Sequence, residues 1–130
     1  MVLEYSYNNL RSILNNFSIS LSGIKGTLKD LVLKLEDTAL SSKEVNFLFS
    51  CLTKLQLENL CLKLGYNHLD DSVAKYVSKN LSLLQTVTTL DVGLENTGIS
   101  TEGFCSIISA VDKMISRKLR FVTFSYNRYT

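Results

Sequence analysis

Residues 57–69 read LENLCLKLGYNHL, and their spacing decides the fold. Leu60, Leu62 and Leu64 alternate with Cys61 and Lys63. Strict alternation sends one set of side chains to each face of an extended strand. The full pattern is Leu57, Leu60, Leu62, Leu64, Asn67 and Leu69. It occurs 29 residues earlier as Leu28, Leu31, Leu33, Leu35, Thr38 and Leu40, and 30 residues later as Val87, Leu90, Val92, Leu94, Thr97 and Ile99. Shorter copies open and close the chain, as Leu3, Tyr5, Asn8 and Leu10, and as Leu119, Val122, Phe124 and Asn127. Both terminal copies lack two strand residues found in the middle three. A fixed period of this length is the signature of a repeat array.

The segments between the strands repeat as well. Aligned on the Asn/Thr position, with a one-residue shift in the first, they give four apolar columns. These are Leu14/Val45/Ala74/Phe104, Phe17/Leu48/Val77/Ile107, Leu21/Leu52/Leu81/Val111 and Ile24/Leu55/Leu84/Met114. Their spacing of i, i+3, i+7 and i+10 marks one face of a helix. Ser41, Ser42, Lys43 and Glu44 precede or open one helix, Asp70, Asp71 and Ser72 the next, and Ser100, Thr101 and Glu102 another. These are N-cap residue types with acids in the first turn. Each unit therefore reads as strand, turn, helix. A connection of this length between strands is a crossover, so the strands are expected to be parallel, with helices covering one face. The recurring Asn or Thr is expected to satisfy backbone groups where the chain leaves the sheet.

This pattern resembles the leucine-rich repeat family, in particular its ribonuclease-inhibitor-like class. The strand leucines, Asn8, Asn67 and Asn127, and the helical columns carry the resemblance, which covers nearly the whole chain. It implies a single α/β domain over residues 1–130: a short curved solenoid of about four strand–helix units and a final strand. The parallel sheet would form the concave face and the helices the convex face. Thr38 and Thr97 depart from the family's Asn and are expected to loosen their turns. The three central strands carry an extra Leu-x-Leu step and should run longer than the family norm.

Composition narrows the rest. The chain has 130 residues, of which 45% are hydrophobic, enough for one packed domain. Its formal net charge of +2 gives no argument for a nucleic acid or acidic partner. With 23 leucines and no Pro, the apolar content is concentrated in one residue type, as a strand–helix repeat requires. Cys51, Cys61 and Cys105 are odd in number and widely spaced, so they read as reduced, mostly buried thiols rather than a disulfide framework. The N-terminus has no basic signal-like region, and the longest uncharged run, Ser12 to Ile24, is too short to span a bilayer. An intracellular, cytoplasmic protein with no membrane insertion is expected.

The residues between the strand leucines face away from the helices. One expected column is Glu4, Val32, Cys61, Asp91 and Thr123. A second is Ser6, Lys34, Lys63, Gly93 and Ser125, and a third Asp30, Asn59, Thr89 and Phe121. Val32, Lys34, Cys61, Lys63, Asp91, Phe121 and Thr123 are the candidate concave-face contacts, and their mixed charge and scattered apolar points suit a protein partner. A solvated sheet face is the plainer reading. The ends of the array lack the polar caps that solenoids carry. Leu14, Phe17 and Leu21 at one end, and Val122 and Phe124 at the other, are expected to meet a protein partner capping one or both ends.

Little in the chain points to catalysis. His68 lies near Asp70, Asp71 and Ser72, but no nucleophile elbow or oxyanion hole accompanies it, and it reads as a variable loop residue. One His with Cys61 or an aspartate gives too few ligands for a metal, and no cofactor is expected. Gly23, Ile24, Lys25 and Gly26 lack the phosphate-loop form and read as a helix C-cap. Arg117, Lys118, Arg120 and Arg128, with Lys113, form the one basic concentration. It suits a helix C-terminus, and the alternative is contact with RNA phosphate in a ribonucleoprotein. The leading expectation is a non-catalytic protein–protein interaction or scaffold subunit within a larger complex.

Overall fold

The computed structural model describes residues 1–4, 27–115 and 117–126. Five strands and three helices occur among them. The strands are β1 (Val2–Glu4), β2 (Asp30–Lys34), β3 (Asn59–Lys63), β4 (Thr89–Gly93) and β5 (Phe121–Ser125). The helices are α1 (Ser42–Leu52), α2 (Asp71–Leu81) and α3 (Thr101–Ile115). The strands form one parallel sheet in chain order, β1 to β5. The fold is therefore α/β, and adjacent elements in space are adjacent along the chain.

The leucine spacing explains the packing. Leu31 and Leu33, Leu60 and Leu62, and Leu90 and Val92 point to the buried side of the sheet. In the helices Val45, Leu48 and Leu52, then Ala74, Val77 and Leu81, then Ile107, Val111 and Met114 join them in one continuous core. Of the described helical-column positions only Phe104 is less than buried. It stacks on Tyr126 at 4.2 Å and meets Phe124 edge-on at 5.8 Å. Truncating a buried Leu such as Leu60 to Ala should cost about 2–5 kcal/mol, the transfer term plus the cavity. The expected first helix, carrying Leu14, Phe17, Leu21 and Ile24, lies outside the described residues.

The strand ladder continues past each strand into the turn. Leu35 N–H donates to Lys63 O at 2.8 Å, Leu64 N–H to Gly93 O at 2.8 Å and Leu94 N–H to Ser125 O at 2.7 Å. Asp37 N–H then donates to Gly65 O at 3.2 Å, and Tyr66 N–H to Glu95 O at 2.8 Å. The turns are thus stacked in register with the strands.

Among the described residues Asn67 ties two units together with side-chain hydrogen bonds to both. Its Oδ1 accepts from Thr38 N–H at 3.1 Å and Leu40 N–H at 2.9 Å. Its Nδ2 donates to Leu35 O at 2.9 Å and to Leu64 O and Gly65 O at 3.0 Å. Thr38 and Thr97 reach only their own turns, donating to Leu35 O at 2.8 Å and Leu94 O at 3.2 Å. A hydroxyl is too short to span two units.

A second link was not visible in the spacing. Asp71, the first residue of α2, caps the next helix by accepting from Ser100 N–H at 2.8 Å and Ser100 Oγ at 2.6 Å. Ser100 Oγ in turn accepts from Gly103 N–H at 3.1 Å. Asp70 caps α2 itself, accepting from Ser72 N–H at 3.0 Å and Val73 N–H at 3.4 Å. No helix among the described residues is long and apolar enough to cross a membrane.

Two sequence expectations need correction. Glu4 stands beside Lys34 and Val2 beside Val32, so the first strand sits two residues from its expected column. The Met1 ammonium donates to Asp30 O at 2.8 Å and Met1 O accepts from Val32 N–H at 2.8 Å, which holds that register. The cysteines are free, as expected, but only Cys51 is buried; Cys61 is half-buried and Cys105 exposed. Cys105 falls between the apolar columns, on the outer side of α3.

Candidate binding surface

The parallel register brings the alternate strand residues into rows on the side of the sheet away from the core. Asp30, Asn59, Thr89 and Phe121 form one row, Val32, Cys61, Asp91 and Thr123 the next, and Lys34, Lys63, Gly93 and Ser125 the third. All seven candidate face residues therefore share one surface. Neighbours in a row are about 4.8 Å apart. None of these side chains belongs to the buried core, and no described helix covers them. Among the described residues Phe121 is the most exposed large hydrophobic, at 69%.

Asp91 organises the middle of the face. It accepts from Lys63 Nζ at 3.0 Å and from the Cys61 thiol at 3.7 Å. Burial, and then the charge of Asp91, push the Cys61 thiol above its ordinary pKa. Cys61 is therefore a protonated donor at neutral pH, not a poised nucleophile. Burial pulls Lys63 down, but the hydrogen bond and charge of Asp91 outweigh it and hold the ammonium above its ordinary value. Both partners of the pair are about one-third exposed, so it contributes at most about 1 kcal/mol. At the edge of the face Asn59 Nδ2 donates to Asp30 Oδ1.

The other candidate groups separate in space. Arg117, Lys118 and Arg120 are exposed in the turn that leads into β5, at the end of the sheet where strands begin. Arg117 donates to Ser82 O at 3.4 Å. Arg128 lies outside the described residues, as do Ser6, Leu14, Phe17, Leu21 and the Gly23–Gly26 segment. Val122 is 38% exposed, while Phe124 is half-buried against Phe104. His68 is exposed, and Asp70 and Ser72 are engaged with each other at the start of α2. Among the described residues no group of three or more His, Cys, Asp or Glu is placed to hold a metal ion.

The turns at the opposite end of the sheet enclose a surface cleft of about 690 Å³. It lies where strands hand over to helices, and Tyr66, Asn67 and His68 are among its walls. From its residues alone this region reads as plain turn. The signal that could have found it is the identical position of Asp37, Tyr66 and Asn96, each one residue before the recurring Thr or Asn.

No protein-family model matches the chain, and no curated protein sequence matches it.

Proposed function

We propose that the chain is a short leucine-rich-repeat solenoid of the ribonuclease-inhibitor-like class. In this reading it acts as a non-catalytic interaction or scaffold subunit that docks onto a larger assembly. The observation that carries the reading is the uncovered face of the sheet, where Lys34, Lys63, Asp91, Cys61, Val32, Thr123 and Phe121 lie together. A parallel sheet is ordinarily covered on both faces. A sheet that keeps one face free, with mixed charge and an exposed Phe, has a surface suited to another protein. Four strands of five residues and one of three offer at most roughly 24 Å by 16 Å, somewhat under about 400 Å². A standard interface uses about 800 Å² per partner, so the rims must contribute as well.

The test is affinity capture with crosslinking mass spectrometry, run in parallel on wild type and Lys34→Glu/Thr123→Arg. The reading expects a partner crosslinked to the sheet face and lost from the double variant. Equal capture by both would overturn it. The alternative is an RNA-associated subunit, favoured by the joint exposure of Arg117, Lys118 and Arg120. It expects RNA binding that weakens steeply with salt and disappears when all three become Ala.

A further inference from the structure

The cleft at the strand-to-helix rim has a chemistry of its own. Asp37, Tyr66 and Asn96 take left-handed φ values of 52°, 57° and 51°. Because their turns are stacked by backbone hydrogen bonds, the three side chains form a row with steps of about 4.8 Å. Behind them runs the buried row of Thr38, Asn67 and Thr97. In front of them His68 is flanked by Ala39 and Gly98 at the equivalent positions, so little side chain fills the space on either side. Gly98 cannot be larger, because a Cβ there would lie 2.3 Å from Leu69 O. The result is a ligand-sized cleft, lined by Asp37, Tyr66, Asn67, His68, Asn96 and Thr97 among others.

These walls select a cation. Neither Lys nor Arg is among the lining residues. Tyr66 is 55% exposed and offers a ring face, and Asp37 supplies a carboxylate one strand spacing away. Glu36 and Glu95 lie in the same turns. Acids at helix starts are explained by the helix dipole, but Glu36, Asp37 and Glu95 precede the helices by several residues. The exposed Arg117, Lys118 and Arg120 stand at the other end of the strands. The net charge of +2 conceals this separation.

A planar guanidinium can stack on a phenol ring while donating two hydrogen bonds to a carboxylate, which a compact ammonium cannot do. We infer that this cleft binds an arginine side chain presented by a protein partner. The cleft is far larger than one guanidinium, so it also admits the backbone that carries it. Next to the cleft, Glu95 lays its carboxylate over the sheet face, within 3.0 Å of where a Gly93 Cβ would stand. The inference goes beyond the sheet-face reading and holds whether or not that face binds anything.

The experiment titrates the ¹⁵N-labelled chain with acetyl-Gly-Arg-Gly-amide and follows backbone amide shifts. Saturable shifts at Tyr66, His68, Asn96 and Gly98 are expected. Replacing the arginine by citrulline removes the charge and keeps the shape, and should weaken binding about ten-fold. Asp37→Asn should do the same, and Tyr66→Asn, which tolerates the left-handed backbone, should weaken binding about five-fold. Thr89→Val, a neutral change on the sheet face at the opposite end of the strands, should leave the affinity unchanged, which separates this site from that surface. Equal binding of the citrulline peptide, shifts confined to the sheet face, no saturable shift at millimolar peptide, or stronger binding of spermidine than of the arginine peptide would each overturn the proposal.

Discussion

Replacing Asn67 by Ala should be among the most damaging single changes in the described turns. The side chain is 4% exposed and ties two units together through five contacts. Two of its acceptors survive the loss. Leu35 O still accepts from Thr38 Oγ1, and Gly65 O from Asp37 N–H. The Thr38 and Leu40 N–H groups and the Leu64 carbonyl lose the bonds that Asn67 supplies. A buried polar group left without a partner costs about 1–3 kcal/mol, which sums to roughly 3–9 kcal/mol for three. A chain of this length has roughly 6–20 kcal/mol in total. Urea unfolding followed by circular dichroism reads the loss directly. With a slope of about 2 kcal/mol/M, a loss near the middle of that range lowers the midpoint by about 3 M. Asn67→Thr should recover about 1 kcal/mol, because its hydroxyl can reach Leu64 O but neither N–H of the preceding unit. Thr38→Ala removes one bond whose acceptor keeps another partner, and should cost only about 1 kcal/mol. If Thr38→Ala proved as damaging as Asn67→Ala, or Asn67→Thr matched wild type, the bridging argument would be wrong.

Three further outcomes are expected. Gly98→Ala places a Cβ 2.3 Å from the Leu69 carbonyl and should destabilise by about 1–3 kcal/mol. Gly93→Ala meets only the flexible ends of Glu95 and Lys63, at 3.0 Å, and should stay within about 0.5 kcal/mol of wild type; reversed effects in thermal melts would contradict the turn geometry. Asp70→Ala should cost about 1 kcal/mol near neutral pH. The Ser72 hydroxyl foremost, with the Val73 and Ser72 amides, holds the Asp70 carboxyl below its ordinary value. Its contribution is therefore complete above about pH 4 and lost as pH falls through the lower folded value, so the two stability curves should converge in acid. A gap that persists at low pH would count against the cap. With an aromatic disulfide reagent, Cys105 should react first, Cys61 slowly and Cys51 only on unfolding. Asp91→Asn should speed Cys61 roughly three-fold, and no change would remove Asp91 as a cause of its raised pKa.

The three central strands were legible because each places Leu or Val at every second position of one face, and because the helical columns repeat independently. The role of Asn67 was legible too, since its position recurs in each unit. The register of β1 was not. Sliding a strand by two residues keeps every side chain on its own face, so alternation cannot distinguish Glu4 beside Val32 from Glu4 beside Lys34. The Met1 ammonium and carbonyl contacts decide it. The cap from Asp71 to Ser100 escaped for a related reason. Residue types at a helix start announce a cap, but not that the donor belongs to the following unit. The cleft was hidden because Asp37, Tyr66 and Asn96 are left-handed without being glycine, and only their stacking turns three ordinary turn residues into one wall.

The central claim is that consecutive units stack in one parallel sheet with a shared register. Interstrand nuclear Overhauser contacts on the labelled chain test it most directly. A series linking Val32 to Cys61, Cys61 to Asp91 and Asp91 to Thr123, all with parallel geometry, is expected. Antiparallel contacts, or contacts joining strands that are not consecutive in the chain, would contradict it.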